Sequence, residues 1–281
     1  MLRRFVSAAF DLARSTPVSA VIAAGMGLLL AGCGATPSTC AGGFCPLPAA
    51  ADSAEAVRQG DLGRGIRDYL LAHPEVLLEA QQALAAKQAA DRQAQARALV
   101  ARNHDALVAD PEDPEMGNPR GDVTIVEFFD DECPYCKMMA PTLEALIRTD
   151  PGVRVVLKDI AILGPGSEVA ARYALAAKRQ GKYAAFHAAL MADKTPEHQL
   201  TEAHLLEIAA RLNLDTARLA RDIQAPEIMG RAGRNRALAQ AIGVTATPGL
   251  VIGDSVQTGA LTPDALAKAV AAARARKAQA P

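Results

Sequence analysis

The chain has 281 residues, enough for one sizeable domain with extra elements or for two modest ones. Its 30 Lys and Arg against 31 Asp and Glu leave a formal charge of -1, so no bulk field recommends nucleic acid as a partner. Aromatics make up 4% with no Trp, and Ala dominates many segments, which favours a helix-rich protein with a core of small aliphatic side chains.

In chain order, residues 1–32 read as a processing signal and not as fold. Arg3, Arg4 and Arg14 supply positive charge, and the apolar stretch at 18–31 is too short for a comfortable membrane span. It ends in Leu30-Ala31-Gly32-Cys33, which resembles the bacterial lipobox; the resemblance implies cleavage before Cys33 and acylation of its thiol as a membrane anchor. An ordinary secretory signal or an uncleaved anchor is the alternative. Gly34 after that Cys points to the outer membrane by the sorting pattern of enteric bacteria. Export then sets the redox context of the five cysteines: Cys33 for lipid, Cys40 with Cys45, and Cys133 with Cys136. Residues 33–51 are Gly, Pro, Ser, Thr and Ala rich and read as a flexible tether. Within it Cys40 and Cys45 suit a small structural disulfide; a metal site or a redox relay stays open, though no His or further Cys stands nearby to complete a ligand set.

Residues 52–109 read as helical. Ile66, Tyr69 and Leu70 fall at i, i+3 and i+4, and Pro74 restarts a helix that carries Val76, Leu77, Leu78 and Leu84. This apolar stripe has too little mass for a core of its own, so self-association is expected, with a spacer that lifts the next domain off the membrane as the alternative. Pro111, Pro114, Gly117 and Pro119 mark 110–120 as a linker. From 121 to 281 the pattern turns α/β. A β-branched and aromatic run at 123–129 predicts a buried strand, 133–148 a helix and 153–159 a second strand. Helices follow at about 167–180, 182–192, 201–212, 215–222 and 225–242, forming a helical insert over about 165–242. Short strands at 249–252 and 255–259 and a terminal helix at 262–275 complete a mixed sheet with helices on both faces.

The chemistry lies in Cys133-Pro134-Tyr135-Cys136, where a strand ends and a helix begins. The first thiol meets unpaired N–H groups and the positive end of the helix dipole, which favours the thiolate. Nucleophiles so placed titrate at roughly 3.5 to 7, against about 8.5 for a free Cys. Cys133 can attack a disulfide, and Cys136, one turn on, can resolve the mixed disulfide. Pro134 suits a first helical turn. The same spacing makes half a zinc site, but no second pair follows, and His187, His198 and His204 read as surface or boundary residues of helices; no metal and no cofactor is expected. Thr247-Pro248, just before a strand, calls for a turn or a cis bond.

Three stretches carry a resemblance: Val-Glu-Phe-Phe-Asp-Asp-Glu-Cys-Pro-Tyr-Cys-Lys, Gly-Pro-Gly-Ser-Glu-Val-Ala-Ala-Arg-Tyr and Gly-Val-Thr-Ala-Thr-Pro-Gly-Leu-Val-Ile-Gly. They resemble the DsbA family from Gly121 onward. Upstream, Ile66-Arg-Asp-Tyr-Leu-Leu-Ala-His-Pro-Glu-Val-Leu-Leu-Glu79 is similar to the N-terminal region of ScsC-like, copper-tolerance members, some of which form trimers there and act as disulfide isomerases or reductases. The resemblance implies a thioredoxin-like fold and a periplasmic protein disulfide oxidoreductase or isomerase. Its partners would be proteins bearing thiols or disulfides, a resetting redox protein, the membrane through Cys33, and further copies of the chain, with a trimer as precedent. It gives Thr247 the role of pairing an extended substrate strand and Pro248 that of shaping the pocket and keeping metals off the thiols. Pro134 and Tyr135 lie at the same substrate surface. Glu127, six residues before Cys133, matches the family's partly buried acid that assists proton transfer; an edge-exposed strand residue is the plain alternative.

One departure concerns Asp130, Asp131 and Glu132. Three carboxylates before the nucleophile are expected to disfavour the thiolate, weaken the protein as an oxidant and shift it toward isomerase or reductase work. A competing class is a copper-sequestering lipoprotein using Cys133, Cys136 and the soft ligands Met138 and Met139, although those methionines also suit helix packing.

Overall fold

The computed structural model describes residues 60–279, so the signal, the tether and Cys33, Cys40 and Cys45 lie outside the described residues. Helix α1 (Asp61–Ala72) buries no residue and exposes Leu62, Ile66 and Leu71. A boundary between two compact units falls after Tyr69, within α1. Helix α2 (Glu75–Arg102) exposes Leu77, Leu78 and Leu84 and buries only Val100 in its last turns. Asn103 stops it by donating its side-chain amide to the Leu99 carbonyl at 2.8 Å. Helix α3 (His104–Val108) follows at once and buries Leu107.

The sheet has five strands in the order β1-β3-β2-β4-β5: β1 (Glu115–Gly117), β2 (Val123–Phe129), β3 (Val153–Asp159), β4 (Gly249–Ile252) and β5 (Ser255–Thr258). β2 and β3 run parallel, from Val123 opposite Val153 to Phe129 opposite Asp159, and every other pair is antiparallel. Helix α4 (Pro134–Thr149) makes the β2 to β3 crossover. Six helices separate β3 from β4: α5 (Pro165–Lys178), α6 (Tyr183–Ala192), α7 (Glu202–Arg211), α8 (Thr216–Asp222), α9 (Pro226–Met229) and α10 (Arg231–Ala241). Helix α11 (Pro263–Gln279) ends the described chain. Because β2 is central and covered on both faces, six of its seven residues are buried, Glu127 among them, in place of an alternating pattern. Ile125 and Phe129 pack with Met139, Leu143 and Phe186, while Val126 and Phe128 pack with Val100, Leu107, Ile242 and Val244 on the other face.

Three elements differ from what the residue pattern predicts. The stretch read as a linker contains β1, an edge strand that ends at Gly117, where φ is +78° and a Cβ would lie 2.5 Å from the Val153 carbonyl. The helix expected over 225–242 is broken at Gly230, which closes α9 and opens α10. The last helix runs on to Gln279.

The approach to β1 carries a buried ionic knot. Asp113 accepts hydrogen bonds from both Lys158 on β3 and Arg231 on α10, all three side chains being buried, and Arg231 also reaches Asp110 at 2.8 Å. Taking away one partner of a buried pair strands the other charge, so Asp113→Ala is expected to lower the unfolding free energy by about 3–5 kcal/mol. Urea melts of the two proteins measure this; a loss under about 1 kcal/mol would show the cations finding water or new partners.

Candidate functional site

The loop 130–132 joins β2 to α4, and its acids hold it to the helical insert. The Asp130 carboxylate accepts from the N–H groups of Ile162 and Leu163 at 2.7 and 2.9 Å, from Ser167 Oγ at 2.7 Å and from its own loop's Glu132 N–H at 2.8 Å. Glu132 accepts from the Leu200 N–H at 3.1 Å, and its other oxygen lies 3.0 Å from Ser167 Oγ, sharing with Asp130 that hydroxyl's single hydrogen. Gly166 allows this approach, since a Cβ there would sit 2.9 Å from Glu132 Oε2 and 2.8 Å from the Leu200 carbonyl. The three acids are 0%, 1% and 3% exposed.

Cys133 is the N-cap of α4, with extended backbone at φ −68° and ψ 119°, and Pro134 opens the helix. Both thiols are free and buried. The Cys133 thiol is pulled down to about 6, chiefly because the Cys136 thiol donates to it; burial opposes this, and Thr247 and the N–H groups of Cys136 and Tyr135 add to it. Donating to Cys133, together with burial and the nearby Glu127 charge, pushes the Cys136 thiol up, so it stays protonated. The expectation that Asp130, Asp131 and Glu132 would suppress the thiolate is therefore wrong: two of those carboxylates are occupied by donors of the helical insert, and the donors around Cys133 prevail.

Thr247-Pro248 is a cis peptide, and the Thr247 carbonyl lies 3.6 Å from Cys133 Sγ. Thr247 also lines an open groove of about 590 Å³ with Tyr135, Met138, Thr142, Leu261 and Pro263. Tyr135 is 62% exposed there. The two methionines part company. Met139 is fully buried and its Sδ accepts from the Leu261 N–H at 3.3 Å, whereas Met138 is exposed on the groove and does not serve as packing.

Glu127 is 3% exposed on the central strand, opposite Leu157 on β3 and Leu250 on β4, which overturns the edge-strand alternative. Burial, with help from Cys133, pushes its carboxyl up to about 8. His187 is buried too, against the expectation of a surface or boundary residue: it stacks on Tyr183 at 5.6 Å between ring centroids and meets Phe129 edge-on at 5.0 Å. Burial holds His187 down to about 4, so it is neutral. Of the two histidines read with it as surface or boundary residues, His198 is exposed outside the helices and His204 on α7 pairs with Asp193 at 2.6 Å. Asp131 and Asp159 form a buried acid pair, with burial lifting Asp131 to about 7 and Asp159 well above the usual carboxylate range. Sequence reasoning missed this pair and the burial of His187; the only signal was the Tyr183-x-x-Phe186-His187 spacing in an Ala-rich helix.

Among the described residues no group of three or more His, Cys, Asp and Glu side chains is placed to hold a metal ion, and no helix is long and apolar enough to cross a membrane. Residues 124–271 match the family described as DSBA-like thioredoxin domain, and residues 60–91 match the Copper resistance protein ScsC N-terminal domain. A thioredoxin-like oxidoreductase from Silicibacter pomeroyi DSS-3 is 46% identical at a TM-score of 0.58, covering 62% of this chain and 98% of that one. Proteus mirabilis ScsC in a transitional conformation is 30% identical at a TM-score of 0.58, covering 82% of this chain and 98% of that one. A periplasmic thioredoxin-like protein from Salmonella enterica serovar Typhimurium is 32% identical at a TM-score of 0.52, covering 61% and 95%. The chain spans about a quarter of the length of the curated relatives it matches; Na(+)/H(+) antiporter NhaA 3 of Salinispora tropica is 31% identical over 169 residues, 58% of this chain and 26% of that protein.

Proposed function

Given that the chain belongs to the DSBA-like thioredoxin domain family and is a disulfide oxidoreductase, we propose that it exchanges disulfides with exported proteins through Cys133 and Cys136, with isomerase or reductase work favoured over oxidation. The observation that carries this reading is the Cys133 thiol at a helix N-terminus, ionised near neutral pH and 3.6 Å from the carbonyl before the cis proline. The Cys133 thiolate attacks one sulfur of a substrate disulfide, forming a mixed disulfide and releasing the other sulfur as a thiolate. In the mixed disulfide Cys133 carries no charge, which removes its share of the rise on Glu127; Cys136 then passes its proton to the ionised form of Glu127 and attacks Cys133 Sγ, the two enzyme sulfurs are oxidised and the substrate leaves fully reduced. For isomerisation, the freed substrate thiolate attacks another disulfide of the client, and the thiolate so released attacks the substrate sulfur of the mixed disulfide, so that Cys133 leaves as a thiolate, unoxidised. Thr247 pairs with the substrate backbone, Pro248 shapes the pocket, and Pro134 and Tyr135 contact the client along the groove.

A thiol at about 6 lies closer to the roughly 7 of thioredoxin than to the roughly 3.5 of DsbA, which makes this a moderate oxidant. The second support is the exposed stripe of α1 and α2, which we assign to self-association within residues 52–109, since tethered catalytic domains engage one misfolded client at several points. We place the protein in the periplasm, held at the outer membrane by lipid on Cys33, as the signal-like N-terminus suggests.

Val100 and Leu107 belong to the packing behind the sheet and β1 to its edge, so a cut near Pro119 would damage the domain. Point changes are the better test. The chain from residue 34 onward is expected to scatter light as an oligomer, and Ile66→Lys with Leu77→Lys to yield monomers. Reactivation of scrambled ribonuclease is expected to fall at least about fivefold in the monomer, in line with lost avidity, while insulin reduction holds. A monomeric parent, or equal reactivation by both forms, would overturn the isomerase assignment.

A further inference from the structure

Behind Glu127 the molecule has a second set of buried titratable groups that the exchange chemistry above does not use. Glu127 and His187 share the walls of a small cavity with Leu143, Leu157 and Glu144; its volume of about 10 Å³ is at the lower bound for a single water. His187 Nδ1 points away from solvent and lies 3.9 Å from Asp131 Oδ1. His187 Nδ1, both Asp131 oxygens and Asp159 Oδ2 have no hydrogen-bond partner among the described residues while both acids are ionised. A proton on either acid removes that conflict, because Asp131 and Asp159 then hydrogen-bond to each other. The other Asp159 oxygen is engaged by the Ala161 N–H at 2.8 Å. Unpartnered buried polar atoms on one continuous track call for an explanation.

We propose that His187 and the Asp131–Asp159 pair form a second stage of proton transfer behind Glu127, carrying onward the proton that Cys136 gives up when it resolves the mixed disulfide. The proposal rests on the exchange reading above. In the resolving step, which runs from the ionised form of Glu127, the Cys136 S–H bond breaks and an O–H bond forms on that carboxylate. The Cys136–Cys133 bond forms, the Cys133–substrate bond breaks, and its electron pair leaves with the substrate sulfur. Glu127 then returns to the carboxylate by passing its proton across the cavity to the imidazole, which releases one from its other nitrogen to the acid pair. Two buried carboxylates at close range hold one proton between them readily, leaving a single carboxylate to accept the next.

The surroundings agree. Burial sets Glu127 at about 8 and Asp131 at about 7, so donor and acceptor are close at neutral pH. The groups facing the pair are Asp130 and Glu132 in the same loop, Lys137 on α4, which favours the charged form of Asp131, and Tyr183 and His187 on α6. Those facing Glu127 are Cys133 and Cys136 on α4, Tyr183 on α6, and, across the cavity, His187 and Glu144. His187, Asp131 and Asp159 do not touch the reacting sulfurs and act through Glu127.

The test uses the full chain with glutathione held on Cys133 as a mixed disulfide. Glutathione release is followed by stopped flow from pH 5.5 to 9 in wild type, His187→Phe, Asp131→Asn and Asp159→Asn. Release at pH 7 is expected to slow about tenfold or more in each variant, as loss of a general acid–base step does. Alkylation of Cys133 by iodoacetamide, which needs no proton from Cys136, keeps its rate and pH midpoint. Infrared difference spectra between the dithiol and disulfide forms are expected to show a protonated-carboxyl band that Asp131→Asn removes. Should the large His187 change damage folding, the near-isosteric Asp131→Asn decides alone. Release at the wild-type rate with an unchanged pH profile overturns the relay, and so does an equal loss of alkylation and release. Release as fast from Cys136→Ala as from wild type would instead remove the exchange reading, and the relay with it.

Discussion

Cys133→Ser is expected to reduce insulin reduction and ribonuclease reactivation by more than about a thousandfold, because a hydroxyl does not ionise near neutral pH and the thiolate is the nucleophile. Cys136→Ala is expected to behave differently: attack survives, and the protein accumulates as a mixed disulfide with its client. The pH dependence follows from the same sulfur. With the Cys133 thiol held at about 6, alkylation by iodoacetamide should rise through that pH and level off by pH 7. The lowered value exists only in the dithiol form. Relative to a client dithiol of ordinary thiol value near 9, the dithiol therefore gains stability as pH rises from about 6 toward 9, making the protein a stronger oxidant of that client across the window. A Cys133→Ser protein that still turns over disulfides, or an alkylation midpoint near 8.5, would remove the nucleophile from this assignment.

What could be read from the sequence and what could not divide along a physical line. β2 was legible because Val-Thr-Ile-Val-Glu-Phe-Phe suits only a pleated, buried environment, and α4 because Cys133-Pro134 combines an N-cap position with a residue tolerated at the first turn. The meeting of Cys133 with Thr247 was accessible only through resemblance, since 114 residues separate them. The helical insert was harder. In α5 the buried residues include Ala170, Ala171, Ala174, Ala176 and Ala177, so burial wraps around the helix and no single apolar stripe marks its inner face. His187 is a different case: on α6 the buried positions Tyr183, Phe186, His187, Leu190 and Met191 do follow one helical stripe, and His187 passed for a surface residue because its side chain is polar. The charge argument about Asp130, Asp131 and Glu132 failed for a related reason. It treated the carboxylates as free neighbours of the thiol, when the N–H groups of Ile162, Leu163 and Leu200, more than 30 positions away, hold two of them. β1 was missed because three residues that follow Pro114 and end in Gly117 carry no periodicity; its partner strand creates it.

Glu127→Gln should make the protein more stable and less active at once. In the folded state burial holds this carboxyl at about 8, against an ordinary 4.5, so the native protein binds the proton more tightly than the unfolded chain. Stability from this group is present in full below about pH 4.5 and is lost as pH rises through 8. At 1.36 kcal/mol per pKa unit, the loss reaches about 3 kcal/mol at pH 7 and about 5 kcal/mol above pH 8. Gln has nearly the same shape and no charge to lose. The stability difference between variant and wild type should therefore be near zero at pH 4.5, grow through pH 7 and flatten above pH 8, as read from guanidinium melts of the dithiol form. Asp131 pulls wild-type stability in the same direction, but it is present in both proteins and cancels in the difference. Against that gain, the variant cannot take the Cys136 proton, and resolution of the mixed disulfide is expected to slow by about a hundredfold near pH 7. A pH-independent difference would mean that water reaches Glu127 in solution, and an unchanged resolution rate would mean that Cys136 loses its proton by another route. A stable protein that resolves slowly would show that burying an acid beneath the thiols costs fold stability in exchange for proton transfer.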